Sequence, residues 1–114
     1  MNLKWGIFGG CINEEALIEA KLDWALRLGM KVSICEGHHP NYTDVNELGL
    51  SIDQTTEILE SYSDRIHYHK AGAVPQQRML RDIAYKNLPK DLDVVIMSDI
   101  DEFYLEKDLN EIDD

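Results

Sequence analysis

The amino-acid sequence predicts a doubly wound α/β domain with a mostly parallel sheet, and three observations carry that prediction. Short apolar stretches and amphipathic stretches alternate along the chain in the order β-α-β-α-β-α-β. A strand, a helix and a second strand are complete by Cys35, which is the parallel βαβ unit with its right-handed crossover. Finally, Val94-Val95-Ile96-Met97 is an apolar stretch bounded by Asp93 and Ser98, the pattern of a strand covered on both faces.

Residues 5–8 read as the first strand, stopped by Gly9-Gly10. Asn13 is placed to cap a helix whose first turn carries Glu14 and Glu15, where the macrodipole favours acids. Leu17, Ala20, Trp24 and Leu28 recur at helical spacing on one face, and Gly29 stands where a C-terminal cap belongs. Residues 31–35 form the second strand, ending at Glu36-Gly37. The polar, turn-forming stretch from His38 to Asp44 is a loop, with both histidines at the surface. Ser51 or Asp53 caps a second helix containing Ile58, Leu59 and Tyr62.

Residues 65–69 read as a third strand, with His67 and His69 on one water-facing side of a sheet edge. Pro75 fits the first turn of a third helix that turns Met79, Leu80, Ile83 and Ala84 toward the core, and Asn87-Leu88-Pro89 ends it. The fourth strand, 94–97, breaks into Ser98-Asp99-Ile100-Asp101-Glu102-Phe103. Trp5, Trp24 and Tyr62 are core residues in this reading. Without repeats, low-complexity segments or linkers, residues 1–114 are expected to form a single domain.

Composition excludes several classes. A hydrophobic share of 44% supports a packed core and argues against disorder. The net charge of -11 argues against wrapping nucleic acid or resting on an anionic membrane. Asp108, Glu111, Asp113 and Asp114 are expected to be a solvated acidic end. Cys11 and Cys35 make no disulfide framework and read as a reduced, buried pair, and no His and Asp partners mark Cys11 as a nucleophile. Neither a signal peptide nor an apolar run of bilayer length is visible, so a cytoplasmic chain without a membrane span is expected.

The acidic segment carries the chemistry. On an extended chain, residues two apart point to one side, so Asp99 and Asp101 are expected to aim at a common point, with Glu102 on the opposite face. Paired carboxylates suit a hard divalent cation, Mn²⁺ or Mg²⁺, that keeps positions open for a ligand's phosphates. Open α/β sheets bind ligands at that same edge, outside the carboxyl ends of the strands.

The order of these pieces resembles the opening of family-2-type glycosyltransferases of the GT-A fold. The matching pieces are the first strand, Asn13-Glu14-Glu15 and a helix, then a second strand closed by the acid Glu36. Ser51-Ile52-Asp53-Gln54-Thr55 follows as a Ser-x-Asp-x-Thr segment, then Arg78 and Arg81-Asp82, then Asp99-Ile100-Asp101 as the metal-binding Asp-x-Asp. The resemblance implies a Rossmann-like GT-A sheet in which Asp101 binds the metal bridging a donor diphosphate and Asp99 assists it or contacts the ribose. It implies further that Glu36 hydrogen-bonds the nucleotide base, that Arg81, or Arg78, approaches the base or diphosphate, and that the loop from Gly9 to Asn13 lines the nucleotide pocket.

Two departures from the family stand out. Residues 38–50 intervene between the strand-2 acid and the Ser-x-Asp-x-Thr segment, and the chain ends soon after Asp101. The family's acceptor half, with its catalytic base, has no counterpart, so the expectation is a donor-binding half and no residue is named as the base.

The leading expectation is therefore a metal-dependent transferase. Its donor would be a nucleoside-diphosphate sugar and its acceptor a hydroxyl on a glycan, lipid or protein, with a second copy or a partner chain left open. One alternative is a nucleotide- or metal-binding module, or a subunit, without turnover of its own. Haloacid-dehalogenase-type phosphatases also use Asp-x-Asp after an apolar strand, but there the motif follows the first strand of the domain rather than the last.

Overall fold

A computed structural model describes residues 2–113. The elements run β1 (Trp5–Cys11), α1 (Ile18–Arg27), β2 (Lys31–His38), α2 (Thr55–Ser61), β3 (His67–Ala73), α3 (Arg78–Lys86), β4 (Val94–Met97) and α4 (Glu106–Asp113). The strands form one sheet in the order β3-β2-β1-β4, and every neighbouring pair is parallel. The α/β class and the Rossmann-like layering expected from the sequence are present.

Two cores sandwich the sheet. On one face Ile18, Leu22 and Ala25 of α1, Leu59 of α2 and Leu109 of α4 pack on Trp5, Ile7, Cys11, Val32 and Ile34. Ile18, Leu22 and Leu59 are fully buried, each contributing about 2 kcal/mol of hydrophobic stabilisation. On the other face Leu80 and Ala84 of α3 cover Cys35 and Val74. The cysteines are free and buried, and they fall in these two separate clusters on opposite faces of the sheet.

Several expectations are corrected. The glycine pair does not stop β1, which runs on to Cys11. A side chain at Gly9 would strike the Ser98 carbonyl, so glycine lets the chain leaving β4 lie directly on β1. Asn13 does not cap α1: the helix begins at Ile18 with Leu17 at its N-cap position and no side-chain cap, and Asn13 sits in the left-handed region at φ 52°. The buried face of α1 is Ile18, Lys21, Leu22 and Ala25, whereas Leu17 and Ala20 are exposed and Trp24 is half-buried.

Further along, β2 continues to His38, which is buried, so only His39 of the pair belongs to the loop. A bulge between Glu36 and Gly37 shifts the β2–β3 register there. The third strand lies two residues later at its start than expected and extends to Ala73, with His67 and His69 exposed on the sheet's outer strand. Pro75 precedes α3 rather than forming its first turn, and Met79 is exposed.

Most consequential for topology, β4 is the other edge of the sheet and not a strand covered on both faces, with Val95 and Met97 exposed at 41% and 51%. The acidic end is not simply solvated either. It forms α4, and the Asp113 carboxylate accepts the amides of Asn2 and Leu3 and, at 2.7 Å, the indole N–H of Trp5. Asp114 lies outside the described residues. Among the described residues no helix is long and apolar enough to cross a membrane.

Candidate functional site

In the order β3-β2-β1-β4 the connections step outward from β1 to β3 and then reverse to reach β4. The crevice beyond the carboxyl ends of β1 and β4 is therefore the topological switch point, where open α/β sheets take their ligands. A cavity of about 350 Å³ lies there. It is lined by Gly10, Cys11, Ile12 and Glu14 after β1, by Gly37, His38, His39 and Tyr42 after β2, by Gln77, Leu80 and Arg81 of α3 and its entry, and by Asp99, Ile100 and Asp101 after β4.

The acidic loop is a turn, not an extended continuation of β4. The Asp99 amide donates to the Glu102 carboxylate at 2.8 Å, and the Glu102 amide donates back to the Asp99 carbonyl at 3.1 Å. Ile100 is buried between the two aspartates and pins the turn, leaving Asp99 and Asp101 exposed at the rim of the same cavity. Glu102 closes this turn. Asp99 and Asp101 thus both line the cavity from a turn around a buried isoleucine, not from one face of an extended strand. Arg81 approaches Asp99 at 3.7 Å, and the pair is largely exposed and so weakly stabilising.

Glu14 supplies a third carboxyl to the lining. Its pKa is raised, first by burial and then by the negative charges of Asp101, Asp99 and Asp53. Sequence reading assigned Glu14 only to a helix terminus, because its proximity to the acidic loop depends on β1 and β4 being neighbours. Among the described residues no three His, Cys, Asp or Glu side chains converge as a ready-made metal cage.

The segment carrying Glu14 is held by the Ser-x-Asp-x-Thr residues. Ser51 Oγ accepts the Asn13 amide at 3.0 Å, Thr55 Oγ1 accepts the Glu14 amide at 2.8 Å, and Asp53 accepts the Glu15 amide at 3.1 Å. In return Asn13 Oδ1 accepts the Ile52 amide at 2.8 Å, while its amide nitrogen donates to Tyr42 Oη and to the Asp44 carbonyl. Asp53 also accepts the Thr55 amide at 2.9 Å in an Asx turn just ahead of α2. Neither it nor Ser51 is the cap expected, since the N-cap position is Gln54 and carries no side-chain cap. Burial raises the Asp53 carboxyl, but the hydrogen bonds from Thr55 and the nearby amides outweigh it and hold the pKa low. Asn13 is therefore spent on this zipper and does not line the cavity.

Glu36 is placed differently from what the resemblance implies. It is fully buried, and its carboxylate accepts the Ser51 amide at 2.9 Å, the Thr56 hydroxyl at 2.6 Å and the Tyr68 hydroxyl. Burial, followed by the Glu36 hydrogen bond and charge, raises the Tyr68 pKa. Glu36 ties β2, β3 and the start of α2 together and does not line the cavity, and neither does Arg78. The rings on that side of the cavity come from the 39–50 insertion and its root: Tyr42 lies 6.4 Å from both His38 and His39, centroid to centroid. Cys11 lines the floor, with its thiol pKa pushed well up by burial and by the charges of Glu14, Glu36 and Asp53, so it is no nucleophile.

Behind the acidic loop stands Lys21, which the sequence reading passed over. The residue is 3% exposed, and its ammonium donates to Ser98 Oγ at 2.6 Å and to the Glu102 carbonyl and lies 5.2 Å from the ring centres of Trp24 and Phe103. Burial lowers its pKa to about 8, against the opposing pull of Glu102, Asp101 and Asp99. The signal was in the spacing, since Lys21 falls on the stripe Ile18, Leu22 and Ala25. No protein-family model, no curated protein and no solved structure matches the chain.

Proposed function

We propose that this chain is the nucleotide-sugar-binding domain of a metal-dependent glycosyltransferase of the GT-A type. The observation that carries the reading is the single cavity at the switch point, which brings Asp99, Asp101, Glu14 and Arg81 together beside the rings of Tyr42 and His39. Hard oxygen donors at an open rim fit Mn²⁺ or Mg²⁺, and with no three-ligand cage among the described residues such an ion would owe much of its coordination to phosphate and water.

Asp101 would hold the ion, Asp99 would assist it, and Arg81 would meet the diphosphate once its contact with Asp99 yields. Bound there, a divalent ion would neutralise the charge developing on the departing nucleoside diphosphate. The bond from the anomeric carbon to the diphosphate oxygen would break as an acceptor hydroxyl oxygen bonds to that carbon. Because the Glu36 oxygens are occupied by protein donors, base recognition falls to the ring side of the cavity, where Tyr42 and His39 offer flat faces.

Incubation with UDP-sugars and GDP-sugars plus Mn²⁺, with release of the nucleoside diphosphate followed by chromatography, tests this reading. Metal-dependent release supports a transferase. Metal-dependent binding without release leaves the non-catalytic module, and neither binding nor release removes the assignment.

A further inference from the structure

Lysine is rarely buried unless a charge partner compensates it. The two hydrogen-bond acceptors of Lys21 are neutral, a serine hydroxyl and a backbone carbonyl. Three rings lie close to it, Trp24, Phe103 and, at 5.8 Å, Tyr104, and the carboxylates of Glu102, Asp101 and Asp99 act on it without a direct bond. A side chain needed only to fill this space would be better served by an apolar residue of similar length, which has no ammonium to desolvate. The position of the two acceptors supplies the reason for the charge. Ser98 and Glu102 are the first and last residues of the turn that displays Asp99 and Asp101. Ser98 Oγ passes the contact on by donating to the Asp99 carbonyl at 3.1 Å.

This turn also has a reason to open. Asp99, Asp101 and Glu102 follow one another within four residues, and Glu14 lines the same cavity as the two aspartates, so their mutual repulsion favours a splayed loop. We propose that Lys21 is the positioning residue of this acidic turn, bonding both of its ends so that Asp99 and Asp101 stand at the cavity rim before any ligand arrives. The proposal rests on the reading of those aspartates as the cation- and diphosphate-binding pair. It adds that their order is built in by a cation of the protein's own. Lys21 touches neither carboxylate and acts only through the turn.

Amide hydrogen exchange of the whole chain tests it, with Lys21→Met as the variant and Mn²⁺ alone as the probe. The amides of Ser98, Asp99 and Glu102 are hydrogen-bonded in the turn or to Phe8. In Lys21→Met they are expected to exchange at least tenfold faster, while amides of the β1–β2 ladder keep wild-type rates. Saturating Mn²⁺ should restore most of the lost protection in the variant and add no more than twofold in the wild type, a difference that mere loss of packing would not produce.

Unchanged exchange in the turn, or a uniform rise across the sheet, overturns the proposal. Should Lys21→Met fail to fold, Ser98→Ala removes one anchor and keeps the lysine. It should speed exchange at Asp99 and Glu102 severalfold, and wild-type rates there overturn the proposal equally. A wild type that ignores Mn²⁺ would sink the cation reading of the cavity, while the metal-free exchange comparison would still decide the role of Lys21.

Discussion

The Thr56 hydroxyl donates to the Glu36 carboxylate at 2.6 Å, and that contact, with those from Ser51 and Tyr68, turns a strand-end acid into an internal tie. Glu36→Ala would leave the Ser51 amide and the half-buried Thr56 and Tyr68 hydroxyls without their acceptor, a loss of about 2–4 kcal/mol. Thermal unfolding should show a fall in Tm of roughly 10 °C or more. A variant with wild-type Tm and weakened nucleotide binding would instead give Glu36 the base-reading role.

Tyr68 reports on the same tie. Its folded pKa is raised above the value for an unfolded tyrosine, so its contribution to stability is complete below about pH 10 and is lost as pH rises beyond that. Absorbance titration should find two tyrosines that resist ionisation while the chain stays folded, Tyr68 and Tyr62, the latter pushed up to about 12 by burial and its hydrogen bond to Asp23. Glu36→Gln, which removes the charge adjacent to Tyr68, should move the Tyr68 titration downward.

The coupling between Glu14 and the acidic turn is readable by carboxyl NMR. Asp101→Asn should lower the Glu14 pKa toward the ordinary glutamate value, leaving a residual elevation from burial and Asp99. An unshifted Glu14 would mean that the two groups do not share a site. In the wild type, Mn²⁺ affinity should fall as pH drops through the raised Glu14 pKa, because the proton then competes with the ion.

Asp53 makes a more local prediction. It accepts the Thr55 amide just ahead of α2 and the Glu15 amide, so Asp53→Ala should cost about 1 kcal/mol in chemical denaturation. Its depressed pKa makes that contribution complete at neutral pH and lost as pH falls through the folded value, so the difference between the two proteins should shrink in acid.

Strand-helix alternation and the Asp-x-Asp segment were legible because each is written locally in hydrophobic spacing and residue type. The edge position of β4 was not, since Val94–Met97 reads the same whether or not a further strand lies beside it. The α1 stripe lies one position off the expected one because Leu17, Ala20, Trp24 and Leu28 recur at the same helical spacing as the buried Ile18, Lys21, Leu22 and Ala25, and only the packing chooses between them. Glu36 looked available because its partners Thr56 and Tyr68 come from elements that only the fold brings to it. Asn13 offered a plausible cap, but a left-handed backbone and the Ser51–Thr55 zipper gave it other partners.

The most direct test of the central claim is calorimetric titration of UDP and GDP into the wild type and Asp101→Ala, with and without Mn²⁺. Metal-dependent binding by the wild type, lost in Asp101→Ala with the melting temperature nearly unchanged, is the predicted result, since Asp101 is exposed at the rim and outside both cores. Equal binding by both proteins, or none by the wild type, would contradict it.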